Sequence, residues 1–261
     1  MTAGTVVDLV APIAAARAAG IGLGVRGMPV DASEPGWRAA GAVAADAVLR
    51  AELLARTAAA AGIAVPAVDA TSSPAAARTP SLAAAGTPSL AIAATWHLEK
   101  HAWLAAGAAL AGVLLHGRLP PLERAWIRCG EYGWPEEIAL PGEGWSRGDG
   151  ADVARALEDH LAPLVDALVV HRARRPLWRS AGDRLGQAAR WCAEAFAAPD
   201  GARALAEAAF AAPTALRAPA GFVLRDGLPD RRRTGCCLSH RCPGGPRCDD
   251  CAALPATSGA A

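Results

Sequence analysis

The clearest alternation of apolar and polar positions lies at residues 151–170. Val153, Leu157, Leu161, Leu164, Val165 and Leu168 recur at three- and four-residue steps, which line one face of an α-helix. Pro163 falls inside this run and predicts a kink, because proline lacks an N–H and crowds the preceding turn. A second stripe of Leu177, Ala181, Leu185, Ala188, Cys192 and Phe196 predicts a helix from Pro176 to Phe196, and Gly201 to Ala211 predicts a shorter one. Upstream, a helix is expected from Pro88 to Leu115, ended by HGRLPPLE. AWIRC, Ala125 to Cys129, reads as a strand, and EYGWPEEIALP offers a second after turn residues. GEGWSRGDG, Gly142 to Gly150, reads as a loop.

The first third is patterned less regularly. Thr5 to Ala19 predicts a helix, and Ile21 to Val25 a short strand. Gly36 to Ala61 predicts one long alanine- and leucine-rich helix, with Pro35 near its start. Ile63 to Val68 predicts an edge or bent strand, since Pro66 cannot donate to a ladder. Ala70 to Thr87 predicts a loop. From Arg225 onward alanine gives way to Arg, Pro, Gly and Cys. The expected fold is α+β: a mainly helical body with a small sheet over residues 1–223, and a cysteine-rich module over residues 224–261.

Composition narrows the function. The 261 residues are 52% apolar and carry a net charge of +1, enough for a sizeable core but not for a field that favours nucleic acid or an anionic membrane. The longest uncharged apolar run, Ala102 to Leu115, has fourteen residues and predicts a buried core helix rather than a membrane span, which needs about 20. The N-terminal residues lack the basic start of a secretory signal, so a cytoplasmic protein is expected. In that compartment clustered cysteines point to metal or redox work more than to structural disulfides.

Five of the seven cysteines lie in CCLSHRCPGGPRCDDC, Cys236 to Cys251. Four of them form the pattern Cys-Cys, ten residues, Cys, two residues, Cys: Cys236, Cys237, Cys248 and Cys251. Four thiolates suit tetrahedral zinc or the four protein positions of a 2Fe-2S cluster, and a disulfide is the third reading. Adjacent cysteines in extended chain point to opposite faces, so the backbone must bend there; a two-iron cluster also offers more widely separated ligand positions than one zinc. Gly235 is positioned to help that bend, and Pro243 to Pro246 to fold the two ends together. Arg231, Arg232, Arg233, Arg241 and Arg247 would offset the charge of about −2 on an oxidised cluster.

Elsewhere little chemistry is legible. IGLGVRG, Ile21 to Gly27, carries glycines, but a dinucleotide-binding site is not expected there. In WHLEKH, His97 and His101 share a helix face, but the acid is one position too late for a zinc-protease motif; Glu99 and Lys100 suggest a polar face. Cys129 and Cys192 read as buried thiols. Trp126, Tyr132, Trp134 and Trp145 read as core or loop anchors, with stacking on a ligand as the second reading.

The cysteine segment resembles the C-terminal signature of the FhuF-like ferric siderophore reductases. That family ends in the same spacing, with an aromatic-Arg-x-Pro-Gly-Gly run in the gap, matched here by Arg241, Pro243, Gly244 and Gly245. The likeness extends over residues 90–255, through Ala102 to Leu122 and Arg175 to Trp191. It departs in three places: Arg179 and Ser180 follow Trp178 where Gly-Asn is common, His240 stands where Tyr is usual, and Cys242 is extra. The resemblance implies a 2Fe-2S cluster on Cys236, Cys237, Cys248 and Cys251 and one-electron reduction of a ferric siderophore. No catalytic residue beyond the cluster is implied. Arg232, Arg233 and Arg241 are candidate substrate contacts. The implied partners are an electron-donating ferredoxin or reductase and, transiently, membrane uptake machinery; nucleic acid is not among them. A zinc-knuckle binding protein and an iron–sulfur electron relay are the alternatives.

Overall fold

A long helix, Pro88–His116, is packed against helices and strands on several of its sides. The computed structural model describes residues 13, 23–27, 36–63, 88–217, 222–231, 233–248 and 251–252. In chain order these form strands β1 (Gly24–Gly27) and β2 (Trp37–Ala39), then helices α1 (Ala42–Ala45), α2 (Ala47–Ala60) and α3 (Pro88–His116). Next come β3 (Arg118–Leu119), a 3₁₀ turn (Leu122–Arg124), β4 (Trp126–Cys129), β5 (Pro135–Leu140) and β6 (Ser146–Arg147). Helices α4 (Gly150–Leu168), α5 (Arg174–Ala195) and α6 (Pro199–Ala211) follow, then the hairpin β7 (Phe222–Arg225) and β8 (Leu228–Arg231). The result is a mainly helical α+β fold with a small mixed sheet and a group of cysteines near the C-terminus.

Helix α3 is apolar around most of its circumference, and such a helix is stable only when surrounded. Its buried alanines, among them Ala93, Ala94, Ala105, Ala106, Ala108 and Ala109, let neighbours approach closely. Helix α5 makes its most extensive contact, with α2, α4 and α6 completing the shell. By length and composition Leu90–His116 could cross a membrane, but 78% of its most apolar window is buried within the molecule.

The sheet has the order β1-β5-β4-β2, with β1 parallel to β5 and the other pairs antiparallel. Ile127 and Ile138 face each other across β4 and β5, and both are fully buried. The expected helices after residue 87 are present, and α4 runs through Pro163. Asp149 starts α4 with a capping box: it accepts from Asp152 N (2.9 Å), and the Asp152 carboxylate accepts from Asp149 N (3.0 Å).

Three expectations are corrected and one element is added. Gly36 to Ala61 is not one helix. Trp37–Ala39 pairs with β4, and Asp46 adopts an extended backbone that ends α1 and caps α2 by accepting from Val48 N and Leu49 N. Alanine-rich composition hid both features, because propensity yields to the burial of Trp37 in the sheet. Gly142 to Gly150 is not wholly loop, since Ser146–Arg147 pairs with Arg118–Leu119. The hairpin β7–β8 was not anticipated, although Asp226-Gly227 carries its signal: both residues take positive φ (56° and 77°), as a two-residue hairpin turn requires. The polar face expected of Glu99 and Lys100 is split: Glu99 is buried, as are His97 and His101, and Lys100 is exposed.

Gly22, Gly24 and Gly27 do have the spacing of a dinucleotide-binding loop, but Gly24 and Gly27 lie within β1 rather than in a turn between strand and helix. The expected strand at Ile21 to Val25 is therefore found slightly later, at Gly24–Gly27. Most of the expected helix at Thr5 to Ala19, most of the strand at Ile63 to Val68 and the loop at Ala70 to Thr87 lie outside the described residues.

Candidate functional site

The chain leaving β8 is fastened to α5 before it reaches the cysteines. Asp183 is buried on α5, and its carboxylate accepts from Thr234 N (2.9 and 3.1 Å), Thr234 Oγ1 (3.0 Å) and Gly235 N (2.9 Å). Burial pushes this carboxyl above the usual range, and the N–H and O–H donors pull against it. Gly235 permits close approach to the helix: a Cβ there would meet Ser180 Oγ at 2.8 Å and Ser180 N at 2.9 Å. Because Ser180 N belongs to the α5 backbone, Gly235→Ala must shift the loop. A loss of about 2 kcal/mol in unfolding free energy is expected, read from a denaturant midpoint.

Two side chains then hold the adjacent cysteines by their backbone. Arg172 Nη2 donates to Cys236 O (2.7 Å) while its Nη1 donates to Thr95 Oγ1, and Trp96 Nε1 donates to Cys237 O (2.9 Å). The bend that two neighbouring cysteines need comes at Leu238, which takes a left-handed backbone (φ 63°) uncommon for a leucine. Gly235, expected to supply that bend, serves instead as the contact to α5. A 3₁₀ turn at Ser239–Arg241 follows, and Cys251 N donates to Cys248 O (3.0 Å), closing the expected CxxC turn.

Cys237 Sγ and Cys248 Sγ lie 3.3 Å apart, and all seven cysteines are free. Ser239 Oγ is 2.9 Å from Cys237 Sγ, Arg233 Nη1 is 3.4 Å from Cys248 Sγ, and Cys236 Sγ is 3.9 Å from His240 Nδ1. Burial resists ionisation of Cys237, but hydrogen bonds from Ser239 and Cys248 and the Arg233 charge outweigh it, so the thiol lies below its ordinary value. Cys242 is shifted the other way, by burial and by the Cys237 charge. Cys129 and Cys192 are buried; burial pushes Cys129 up to about 12 and raises Cys192 further.

Among the described residues, no three His, Cys, Asp or Glu side chains are gathered closely enough to hold a metal ion. The Cys237–Cys248 pair nonetheless fits one. Two thiolates on one tetrahedral metal at about 2.3 Å would be about 3.8 Å apart, close to the separation here. N–H and O–H donors around the sulfurs are also what a thiolate-bound centre uses to stabilise its charge.

Both sulfurs border a cleft of about 340 Å³, at the small end of ligand sites. Its walls are Trp96 and Trp134, whose rings meet edge to face with centroids 6.3 Å apart. Lys100, Arg184, Gln187 and Arg231 complete it, with Glu99 and Arg233 between them. Glu99 is 3% exposed and pairs with Arg184 and with Arg233 (3.6 Å). Arg233 is itself 5% exposed and also donates to Gly235 O (3.1 Å). Of the candidate substrate contacts, Arg233 thus sits between Glu99 and Cys248, Arg241 is exposed on the 3₁₀ turn, and Arg232 lies outside the described residues.

The sequence reading missed Trp96, Lys100, Asp183, Arg184 and Gln187. Their spacing carries a faint signal: Trp96 and Lys100 are four apart on α3, and Arg184 and Gln187 three apart on α5, so each pair shares a face. Tyr132 and Trp134 pack together with ring centroids 5.2 Å apart. Trp145 anchors its loop by donating to Pro141 O (2.8 Å). No family model matches the chain, and no curated protein matches it.

Proposed function

We propose that this protein is an iron–sulfur oxidoreductase that reduces ferric siderophores by one electron and releases the iron as Fe(II). The observation that carries this reading is the Cys237–Cys248 pair, 3.3 Å apart, with hydrogen-bond donors on its sulfurs and a ligand-sized cleft directly beside it. The FhuF-like cysteine spacing supplies the remaining ligands. Cys236, Cys237, Cys248 and Cys251 would hold a 2Fe-2S cluster, which when bound supplies a one-electron carrier. The chain's own residues do the rest. Asp183, Arg172 and Trp96 fix the backbone on which Cys236 and Cys237 ride. Arg233 and Ser239 hold negative charge on the sulfurs. The cleft keeps the chelate against Cys237 and Cys248, so electron transfer spans a short distance. Siderophores are hard oxygen donors that hold Fe(III) far more tightly than Fe(II), so adding one electron loosens the complex without a general acid or nucleophile. The electron comes from a ferredoxin or reductase, and a cytoplasmic setting keeps the thiols reduced.

Anaerobically purified protein is expected to be brown, with about two irons and two sulfides per chain and an S = 1/2 EPR signal on reduction. It should also form Fe(II), trapped by a ferrous chelator, from a ferric siderophore and a reduced ferredoxin. A colourless protein containing one zinc would replace this reading with a zinc knuckle. A brown protein that leaves every ferric chelate unreduced would make it an electron relay.

A further inference from the structure

The hydrogen-bond donors of the thiol segment converge on two sulfurs. Cys237 Sγ has Ser239 Oγ at 2.9 Å, and Cys248 Sγ has Arg233 Nη1 at 3.4 Å. A thiolate has no proton to give, so toward it both the hydroxyl and the guanidinium donate. Cys236 Sγ has His240 Nδ1 at the longer distance of 3.9 Å. The Arg172 charge reaches Cys236 and Cys237 together and so does not separate the two sides.

Arg233 is held on Cys248 from every side. Its Nε donates to Gly235 O (3.1 Å), its Nη1 to Cys248 Sγ, and its Nη2 lies 3.6 Å from Glu99 Oε1. The side chains of Arg233 and Glu99 are only 5% and 3% exposed. Glu99, which also pairs with Arg184, offsets the cost of burying the guanidinium. Arg241 and Arg247 are exposed, where water and salt screen their charge.

The 3.3 Å between Cys237 Sγ and Cys248 Sγ suits two ligands of one metal, since sulfurs on different irons lie farther apart. Sharing in this way splits both the adjacent cysteines and the CxxC turn, and leaves Cys236 and Cys251 for the other iron. One-electron reduction takes such a cluster from a charge of about −2 to about −3, and donors on the sulfurs favour the more negative state.

Building on the reductase reading, we infer that Cys237 and Cys248 hold the same iron, that this iron is the one reduced, and that Arg233 raises its potential. The reducible iron then faces the cleft. Arg233 is a positioning residue that acts through Cys248 Sγ, and Glu99 keeps it there.

The test is an EPR-monitored redox titration of the anaerobically purified full-length protein. Arg233→Met removes a donor and a charge, and should favour the oxidised form about tenfold, a midpoint lower by about 59 mV. Arg233→Lys keeps the charge and should recover part of that shift. Arg247→Met, next to Cys248 in sequence but exposed, should stay within about twofold, or about 18 mV. Ser239→Ala should lower the midpoint by about threefold, and gives a reading from the Cys237 side even where Arg233→Met does not fold. Single Cys→Ser changes, made with Cys242→Ala so that the extra thiol cannot substitute, report how the ligands are shared. A hard oxygen ligand disfavours Fe(II), so Cys237→Ser and Cys248→Ser should lower the midpoint about tenfold more than Cys236→Ser and Cys251→Ser. An unmoved midpoint in Arg233→Met, an equal shift in Arg247→Met, or serine variants that pair in any other way would overturn the inference and leave the reductase reading standing. The expected shifts in a protein that reduces no ferric chelate would uphold the inference and overturn that reading. A colourless zinc protein would overturn both.

Discussion

Asp183→Ala is expected to lower the unfolding free energy by about 3–5 kcal/mol, and to do so by freeing the segment that leads to the cysteines. The Asp183 carboxylate satisfies two backbone N–H groups and one hydroxyl in a buried place. Alanine removes every acceptor at once, and each unpaired buried donor costs about 1–3 kcal/mol. Asp183→Asn keeps the shape and one acceptor oxygen but turns an NH₂ group toward a donor, so a loss of about 2 kcal/mol is expected. The urea midpoint measures both. The rate at which a thiol reagent modifies Cys237 supplies the local reading: it should rise in Asp183→Ala under conditions where the protein remains folded. An unchanged rate, with stability within about 1 kcal/mol of the parent, would show that Asp183 does not hold this loop.

The second large effect is a steep loss of stability on mild acidification. His97 and His101 are buried, and His160 is half-buried, where α3 meets the β4–β5 turn and α4. His101 Nε2 and His160 Nε2 are 2.9 Å apart, so one donates and the other accepts, which requires the accepting ring to be neutral. His97 Nδ1 is 3.1 Å from Gly133 O, to which it donates. Burial lowers His97 and His160 to about 4, and burial with the neighbouring imidazoles lowers His101 as well. Above pH 6.5 these rings are neutral in both the folded and the unfolded chain, and their full contribution is present. As pH falls from 6.5 toward 4, the unfolded chain takes up protons that the folded chain refuses. Each histidine then removes about 1.4 kcal/mol of stability per pH unit, so the three together give a slope of about 4. Asp183, whose carboxyl is raised, acts in the opposite sense. Comparing the parent with His101→Leu/His160→Leu isolates the imidazoles. The double variant should lose the part of the slope due to His101 and His160 and keep the part due to His97 and to His171, which burial also lowers. An equal slope in both proteins would place the acid sensitivity elsewhere.

Much of the fold was legible because its signals are local. The stripe from Val153 to Leu168 and the stripe of α5 needed only the helical period, and the cysteine spacing needed only the segment itself. What could not be read depends on which distant elements meet. Glu99 and Lys100 look alike in sequence, two charged neighbours on a helix. One is buried because α5 brings Arg184 to it, and the other stays exposed at the cleft rim beside Trp134. Asp183 gave no warning, since a lone acid in an amphipathic helix usually faces water. Its partners are backbone groups 51 and 52 residues away. Trp37 was misread for the opposite reason: its alanine-rich surroundings spoke for helix, while its burial against β4 decided for strand.

The two bonds that hold the adjacent cysteines also set an order of assembly. Cys236 O is held by Arg172, 64 residues earlier, and Cys237 O by Trp96, 141 residues earlier. Every element that grips the thiol segment is therefore synthesised before it, and closing so long a loop brings no reward until α3 and α5 are already packed. The segment arrives on a finished surface instead of nucleating one. In refolding from denaturant, protection of Cys237 from a thiol reagent should accordingly develop with the last kinetic phase, after the helical signal has returned.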